Sequence, residues 1–553
     1  MRSAAELVVQ VLADAGVNYV FGISGDSVLA LIDAIDRTPG IEYMPVRHEQ
    51  VGASMADGYA RVTGNPAVVL AHMGPGVCNL VIGLASAYRD SYPVIALTGA
   101  REQSKIGRDS WHEIDQLALL RPVTKWGARI FSADSAPRIM QSAITRALSG
   151  RPGPVHVELP KDVARAESNV EAGEPLKFRE IQDASRVAPN PMLVERACDL
   201  LLSAKRPVIL AGGGVLRSGA SEALLQLAEL LVIPVATSSN GRSSIPENHP
   251  LSLGPIGRYG TPFADKQVKQ ADVILGLGCR FSDLTTRDWS LIAPGTKIIH
   301  VDIDPGELGR QYQEEISIVA DVRLFLHEAI ATVKSMEGAR RAPSHLEADP
   351  RVASLVKERE AERSAFFDPS AHASIPGKPQ LLVKEIIEVL RPDATIALGS
   401  GLYAARYAAK IRVTTPRSYL KSLGLGAMGW AFPAAMGAKV GEPSRQVVAL
   451  LGDGDFMMVM QDLETAVREN IAVVIVIFND YGYGSIRELQ KTEYGGRVVG
   501  SDCTPLRFDE LARQMGALGF RASKVEEVKP ALSKILDSDK PGVLEISIDP
   551  RLT

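Results

Sequence analysis

The chain has 553 residues, 46% of them hydrophobic and 23% charged, with a formal net charge of −4. That is the balance of a globular protein long enough for about three domains. It offers no basic footprint for nucleic acid, and no apolar run approaches the roughly 18 residues of a membrane span.

The N-terminus lacks the apolar core and cleavage site of a signal peptide and reads directly as an amphipathic helix leading into a strand. Four cysteines, Cys78, Cys198, Cys279 and Cys503, lie far apart without a Cys-x-x-Cys pair. Free thiols in a reducing cytoplasm are therefore expected. Residues 1–165 alternate helical stretches with short apolar runs at 19–23, 67–72, 93–99 and 151–160, the pattern of an α/β domain with a parallel sheet. The charged segment 162–191, with scattered proline and no period, is predicted to be a linker. A second α/β unit, 190–333, has strands at 205–215, 270–283 and 297–309, each running into a polar or glycine turn. Its Gly212-Gly213-Gly214 turn is weaker than a full dinucleotide fingerprint. Residues 334–377 read as a second linker. A third unit, 376–553, opens with a helix at 379–390 and closes with a strand from 542.

Within the third unit, residues 446–490 carry the strongest signal. The run 447–451 is apolar throughout, as in a strand buried on both faces, and stops at Gly452-Asp453-Gly454. A helix from 463 to 471 follows, then the β-branched run 472–478, which ends at Asn479-Asp480-Tyr481-Gly482. A right-handed crossover brings both strand ends to one sheet edge, so Asp453 and Asp480 can approach each other. Two carboxylates and a glycine-freed carbonyl there form a hard-oxygen site for Mg²⁺ that leaves room for a phosphate, and adjoining helix N-termini favour the same anion. A Gly-Asp-Gly turn can also be only a turn.

The pair of acidic turns resembles the diphosphate and metal signature of thiamine-diphosphate enzymes, with Asn479-Asp480 as a variant of the second motif. By that resemblance Asp453, Asp480 and the Gly482 carbonyl hold the metal, within a cofactor-binding run of Gly452, Asp453, Gly454, Asp455, Asp480, Gly482, Tyr483 and Gly484. Glu49, followed by Ala56-Asp57-Gly58-Tyr59-Ala60-Arg61, is similar to the glutamate motif of the acetolactate synthase-like branch. Its implied role is to hydrogen-bond the aminopyrimidine, and burial would raise its pKa. An isolated Glu there would only complement a helix dipole. Residues 424–429, Gly-Leu-Gly-Ala-Met-Gly, match the segment that bends the cofactor, with Met428 as the wedge and the Gly426 carbonyl as acceptor for the exocyclic amine. Met is otherwise common core filler. The run from Gly74 through Gly76 to Asn79 resembles a loop near the glutamate, and Trp111-His112-Glu113 matches a place where acetolactate synthases have Phe-Gln-Glu. His72 and His112 are thus acid–base candidates, although a histidine at 72 could also be satisfied by neighbouring backbone. In the middle unit, residues 248–254, 278–281 and 302–305 resemble segments that hold FAD or an ADP-containing ligand, which leaves a bound flavin and an empty crevice both open.

Three departures separate the chain from a plain biosynthetic acetolactate synthase. Leu284 stands where a substrate-facing arginine is expected, unless Arg287 replaces it, Leu489 where a tryptophan is expected, and His112 where a glutamine is. The resemblance implies an α/β protein of three doubly wound parallel-sheet domains, pyrimidine-binding (1–165), central nucleotide-type (190–333) and diphosphate-binding (376–553). It implies a cytoplasmic homo-oligomer, a dimer or tetramer with sites between subunits, acting as a lyase or transferase. A 2-oxo acid would be decarboxylated and the product protonated or added to a carbonyl. The alternatives are a 2-hydroxyacyl-CoA lyase or oxalyl-CoA decarboxylase and, from another class, a non-catalytic cofactor-binding protein.

Overall fold

The computed structural model of the chain describes residues 1–173, 177–336, 346, 349–368 and 379–548. It contains three six-stranded parallel sheets flanked by helices. The first is built from Tyr19–Gly22, Glu42–Pro45, Ala67–Ala71, Val94–Ala100, Trp126–Arg129 and Val155–Pro160, in the spatial order 2-1-3-4-6-5. The third uses Thr395–Leu398, Tyr419–Lys421, Val447–Gly452, Val474–Asn479, Leu518–Ala522 and Gly542–Ser547, in the same order. The middle sheet, from Pro207–Ala211 to Ile316–Val319, is ordered 3-2-1-4-5-6, that of a dinucleotide-binding fold. The central strands are buried on both faces, which is why they appear in the sequence as unbroken apolar runs.

By its contacts the chain forms two compact units. Met1–Ser185, Ala394–Ala404 and Leu420–Thr553 make up one, and Arg186–Asp393 with Ala405–Tyr419 the other. In the first unit, the helices Glu49–Thr63 and Ala431–Gly441 cross so closely that neither tolerates a side chain at the contact. A Cβ at Gly58 would lie 2.1 Å from the Ala434 carbonyl oxygen, and one at Gly437 would lie 1.9 Å from that of Met55.

A buried ionic cluster ties the same two modules together. Arg61 grips Asp57 through both carboxylate oxygens (2.9 and 3.0 Å), reaches Asp90 at 2.9 Å and donates to the Lys421 carbonyl at 3.0 Å. Trp430 donates from Nε1 to Asp57 (2.8 Å), and the Leu423 and Gly424 amides donate to Asp90. Despite the burial that opposes its charge, the two carboxylates raise the pKa of Arg61.

Two stretches read as linkers contain structure. In 162–191, Glu167–Ser168 pairs antiparallel with Arg2–Ser3, and the helix Phe178–Ala184 buries Phe178 and Ile181 against the first module. In 334–377, the helix Pro350–Phe366 is capped by the Asp349 carboxylate and buries only Val352 and Leu355. With so few apolar positions it has no 3.6-residue stripe to reveal it. Most of the rest of that stretch lies outside the described residues. The middle unit also has strands Val235–Thr237, Ser252–Pro255 and Ile316–Val319 that periodicity alone does not mark.

Replacing Arg61 with methionine removes the cation and leaves two buried carboxylates facing each other. The expected cost is about 3–5 kcal/mol, read as an earlier denaturant transition. An unchanged midpoint would mean that the cluster does not hold the modules together.

Candidate active site

At the carboxyl edge of the third sheet, Val447–Gly452 and Val474–Asn479 are adjacent parallel strands in which Gly452 lies opposite Phe478. Their ends bring Asp453 and Asp480 together, both buried. The Gly482 amide donates to Asp453 Oδ2 at 2.8 Å. Asp453 Oδ1 is buried without a hydrogen-bond partner among the described residues. Burial and the neighbouring Asp480 carboxylate push Asp453 up to about 7. An orphaned carboxylate oxygen beside a second carboxylate is a site that a divalent cation would satisfy.

The glycines of this edge make room for the acids. A Cβ at Gly484 would lie 2.1 Å from Asp480 Oδ2, and one at Gly454 would lie 2.7 Å from the Tyr483 ring. Arg487, which the sequence reading did not single out, donates to Asp480 Oδ2 at 3.2 Å and to Asp502 at 2.9 Å.

Asp455 is fully engaged by backbone. It accepts from the Gly429 amide at 2.6 Å and the Ser400 amide at 3.0 Å, while burial pushes it up to about 6. It thereby anchors the loop that carries Met428, which is half-buried, and Gly426, which is exposed with φ +73°. Ser400 Oγ donates to the Gly426 carbonyl at 3.0 Å. No sequence motif flagged Ser400.

In the first module Glu49 is the first residue of its helix, buried, with Asn79 Nδ2 donating to Oε2 at 2.8 Å. A Cβ at Gly76 would come within 3.0 Å of Glu49 Oε1, so glycine leaves that face of the carboxylate open. Beside it, His72 Nε2 and His112 Nδ1 are 3.0 Å apart. The two histidine candidates form one hydrogen-bonded pair, extended by Ser27, whose hydroxyl lies 2.8 Å from His72 Nδ1. Burial and then His112 lower the pKa of His72, against opposing pulls from Asp26 and Glu49. Gln116, also unflagged, accepts from the Gly74 amide and donates to Gly99 and Glu158, fixing the loops around the pair.

Arg287 is tied to Asp265 by an ion pair, and Leu489 is exposed on the helix Gly484–Glu493.

Three family descriptions match the chain. "Thiamine pyrophosphate enzyme, N-terminal TPP binding domain" covers residues 2–119, the central domain 194–329, and the C-terminal TPP binding domain 399–546. The chain belongs to the thiamine pyrophosphate enzymes. Among similar proteins, a "probable acetolactate synthase large subunit" of Methanococcus aeolicus is 39% identical, over 99% of this chain and 92% of its own length. The acetolactate synthase of Mycobacterium bovis is 35% identical over 99% and 88%. The isozyme 3 large subunit of Escherichia coli is 34% identical over 97% and 92%. The protein is thus a thiamine-diphosphate-dependent enzyme of the acetolactate synthase-like class, which decarboxylates a 2-oxo acid and joins or releases the fragment.

Gly484→Ala should displace the Asp480 carboxylate and weaken thiamine-diphosphate binding by about tenfold or more. Calorimetric titration of the apoprotein checks this. Wild-type affinity would separate Asp480 from cofactor binding.

Proposed function

We propose that the enzyme takes a short 2-oxo acid such as pyruvate as donor and transfers the decarboxylated fragment to a second carbonyl compound. Mg²⁺ would be held by Asp453, Asp480 and the Gly482 carbonyl. The observation that carries the site assignment is the partnerless Asp453 Oδ1, buried beside Asp480. When bound, thiamine diphosphate supplies the carbon nucleophile and the electron sink that decarboxylation requires. The chain's own groups bind and orient. In this reading Gly452, Gly454, Tyr483 and Gly484 shape the diphosphate turn, Met428 supports the bend, the Gly426 carbonyl accepts from the aminopyrimidine amine, and Gly76 leaves space at Glu49. Glu49 holds the proton on the pyrimidine ring nitrogen, with Asn79 fixing its second oxygen. His72 and His112 lie on the substrate side.

The acyl-CoA lyase alternative is not favoured, since the similar proteins are acetolactate synthases over nearly their full length. We retain the division into domains 1–165, 190–333 and 376–553, and propose a cytoplasmic homodimer or homotetramer with the first module of one subunit facing the third of another. Exposed apolar side chains near both half-sites support such pairing, among them Trp111 in the first module and Met457, Met458 and Ile486 in the third. No described helix is long and apolar enough to cross a membrane. For the middle unit we propose an ADP-containing ligand, FAD included, at the crevice where its strand order reverses. Gly212 and Gly214 pack there against the Gly278 turn, and Asp302 is buried at a strand end.

Glu49→Gln should abolish most turnover of pyruvate while thiamine diphosphate still binds, and full activity in that variant would remove Glu49 from the chemistry. Asp453→Ala should instead lose the cofactor, as followed by equilibrium dialysis. The visible spectrum of the purified protein distinguishes flavin from a colourless ADP ligand.

A further inference from the structure

The histidine pair has a direction. Ser27 donates its backbone N–H to His72 Nδ1 at 3.3 Å, and this donor cannot be reversed. The Ser27 hydroxyl, 2.8 Å from the same nitrogen, also accepts the Met73 amide at 3.1 Å and, with Nδ1 already accepting the backbone N–H, donates its own proton there. His72 Nδ1 therefore carries no hydrogen, and a neutral ring must carry its proton on Nε2. Burial and the neighbouring His112 hold His72 below its ordinary pKa. The groups that face it are Asp26 and Glu49, which favour the charged ring, and Arg101 and His112, which oppose it. Nε2–H then donates across 3.0 Å to His112 Nδ1. His112 in turn keeps its proton on Nε2, for which no acceptor is found among the described residues.

The chain of three is tightly cradled. A Cβ at Gly25 would lie 2.6–2.8 Å from the His72 side chain, and one at Gly99 would lie 2.1 Å from Ser27 Oγ. His112 sits in the left-handed region at φ +65°, and a Cβ at Gly74 would meet its carbonyl oxygen at 2.5 Å. Backbone strain at a polar side chain, held by three such close approaches, fits a group that has to be aimed.

We propose that Ser27 is a positioning residue for the reaction. Through His72 it sets the tautomer of His112, so that His112 presents Nε2–H as a fixed hydrogen-bond donor to an acceptor oxygen of the substrate, the carboxylate or carbonyl of a 2-oxo acid. This rests on the reading of the site given above. It makes His112 an oriented donor rather than a general base and gives His72 no contact with substrate.

The test is long-range ¹H–¹⁵N spectroscopy of the full-length holoenzyme labelled at histidine, with His72→Gln and His112→Gln used to assign the two rings. Both rings are expected to show an unprotonated Nδ1 and a protonated Nε2 at neutral pH. A protonated Nδ1 on the ring assigned to His72 overturns the proposal, whatever Ser27→Ala does. Ser27→Ala removes the hydroxyl and keeps the backbone N–H, so both rings are expected to remain Nε2–H tautomers while kcat/KM for the 2-oxo acid falls by about tenfold, the worth of one hydrogen bond, with thiamine-diphosphate affinity unchanged. Unchanged kcat/KM in that variant would overturn the role of the Ser27 hydroxyl, and a shift of either ring to Nδ1–H would overturn the part given to the backbone donor. Failure of the wild-type enzyme to turn over any 2-oxo acid would instead count against the assigned reaction, and the tautomer spectra would still report on the hydrogen-bonded chain.

Discussion

One buried guanidinium sets the terms for the rest of the first unit. Arg61 has two carboxylates and a backbone carbonyl around it, and those partners come from both modules. Charges so fully removed from water are tolerated only when every member is bonded. The loop 420–430 therefore has to lie where its amides and the Trp430 indole can complete the cluster. That loop carries Gly426 and Met428, so the ion cluster fixes the register of the segment on which they lie.

The diphosphate edge follows the opposite logic. Asp453 and Asp480 are crowded into a buried site in which Asp453 Oδ1 has no hydrogen-bond partner among the described residues, and burial beside Asp480 raises the pKa of Asp453. Asp455, two residues on, is equally buried but takes two backbone amides. Neighbouring acids of one turn thus divide between a group that holds the scaffold and a group left with an unbonded oxygen among the described residues.

Much of this was legible in the sequence because the strands are buried on both faces and so appear as unbroken apolar runs. The convergence of Asp453 and Asp480 followed from the handedness of the crossover alone. The roles expected of Glu49 and Met428 rest on the family resemblance, since an isolated Glu or Met has an ordinary structural explanation. What stayed hidden had physical reasons. The helix Pro350–Phe366 lacks an apolar stripe, and Ser27, Ser400 and Gln116 act through hydrogen bonds to residues distant in sequence. Asp57 and Arg61 were noticed as part of a motif, yet their role as a tie between modules depends on Asp90 and Trp430, which no spacing rule links to them.

The crossing of helices Glu49–Thr63 and Ala431–Gly441 carries one more consequence. Gly58 meets the carbonyl of Ala434, and Gly437 meets that of Met55. Each glycine touches the residue three positions before the other, so the contact is self-complementary. The sheets behind these helices share the order 2-1-3-4-6-5. An approximate two-fold axis therefore passes between two modules of a single chain, and the protomer is internally an isologous pseudo-dimer. Its two halves differ at their sheet edges, one presenting Glu49 and the other Asp453 and Asp480, across a seam where like meets like.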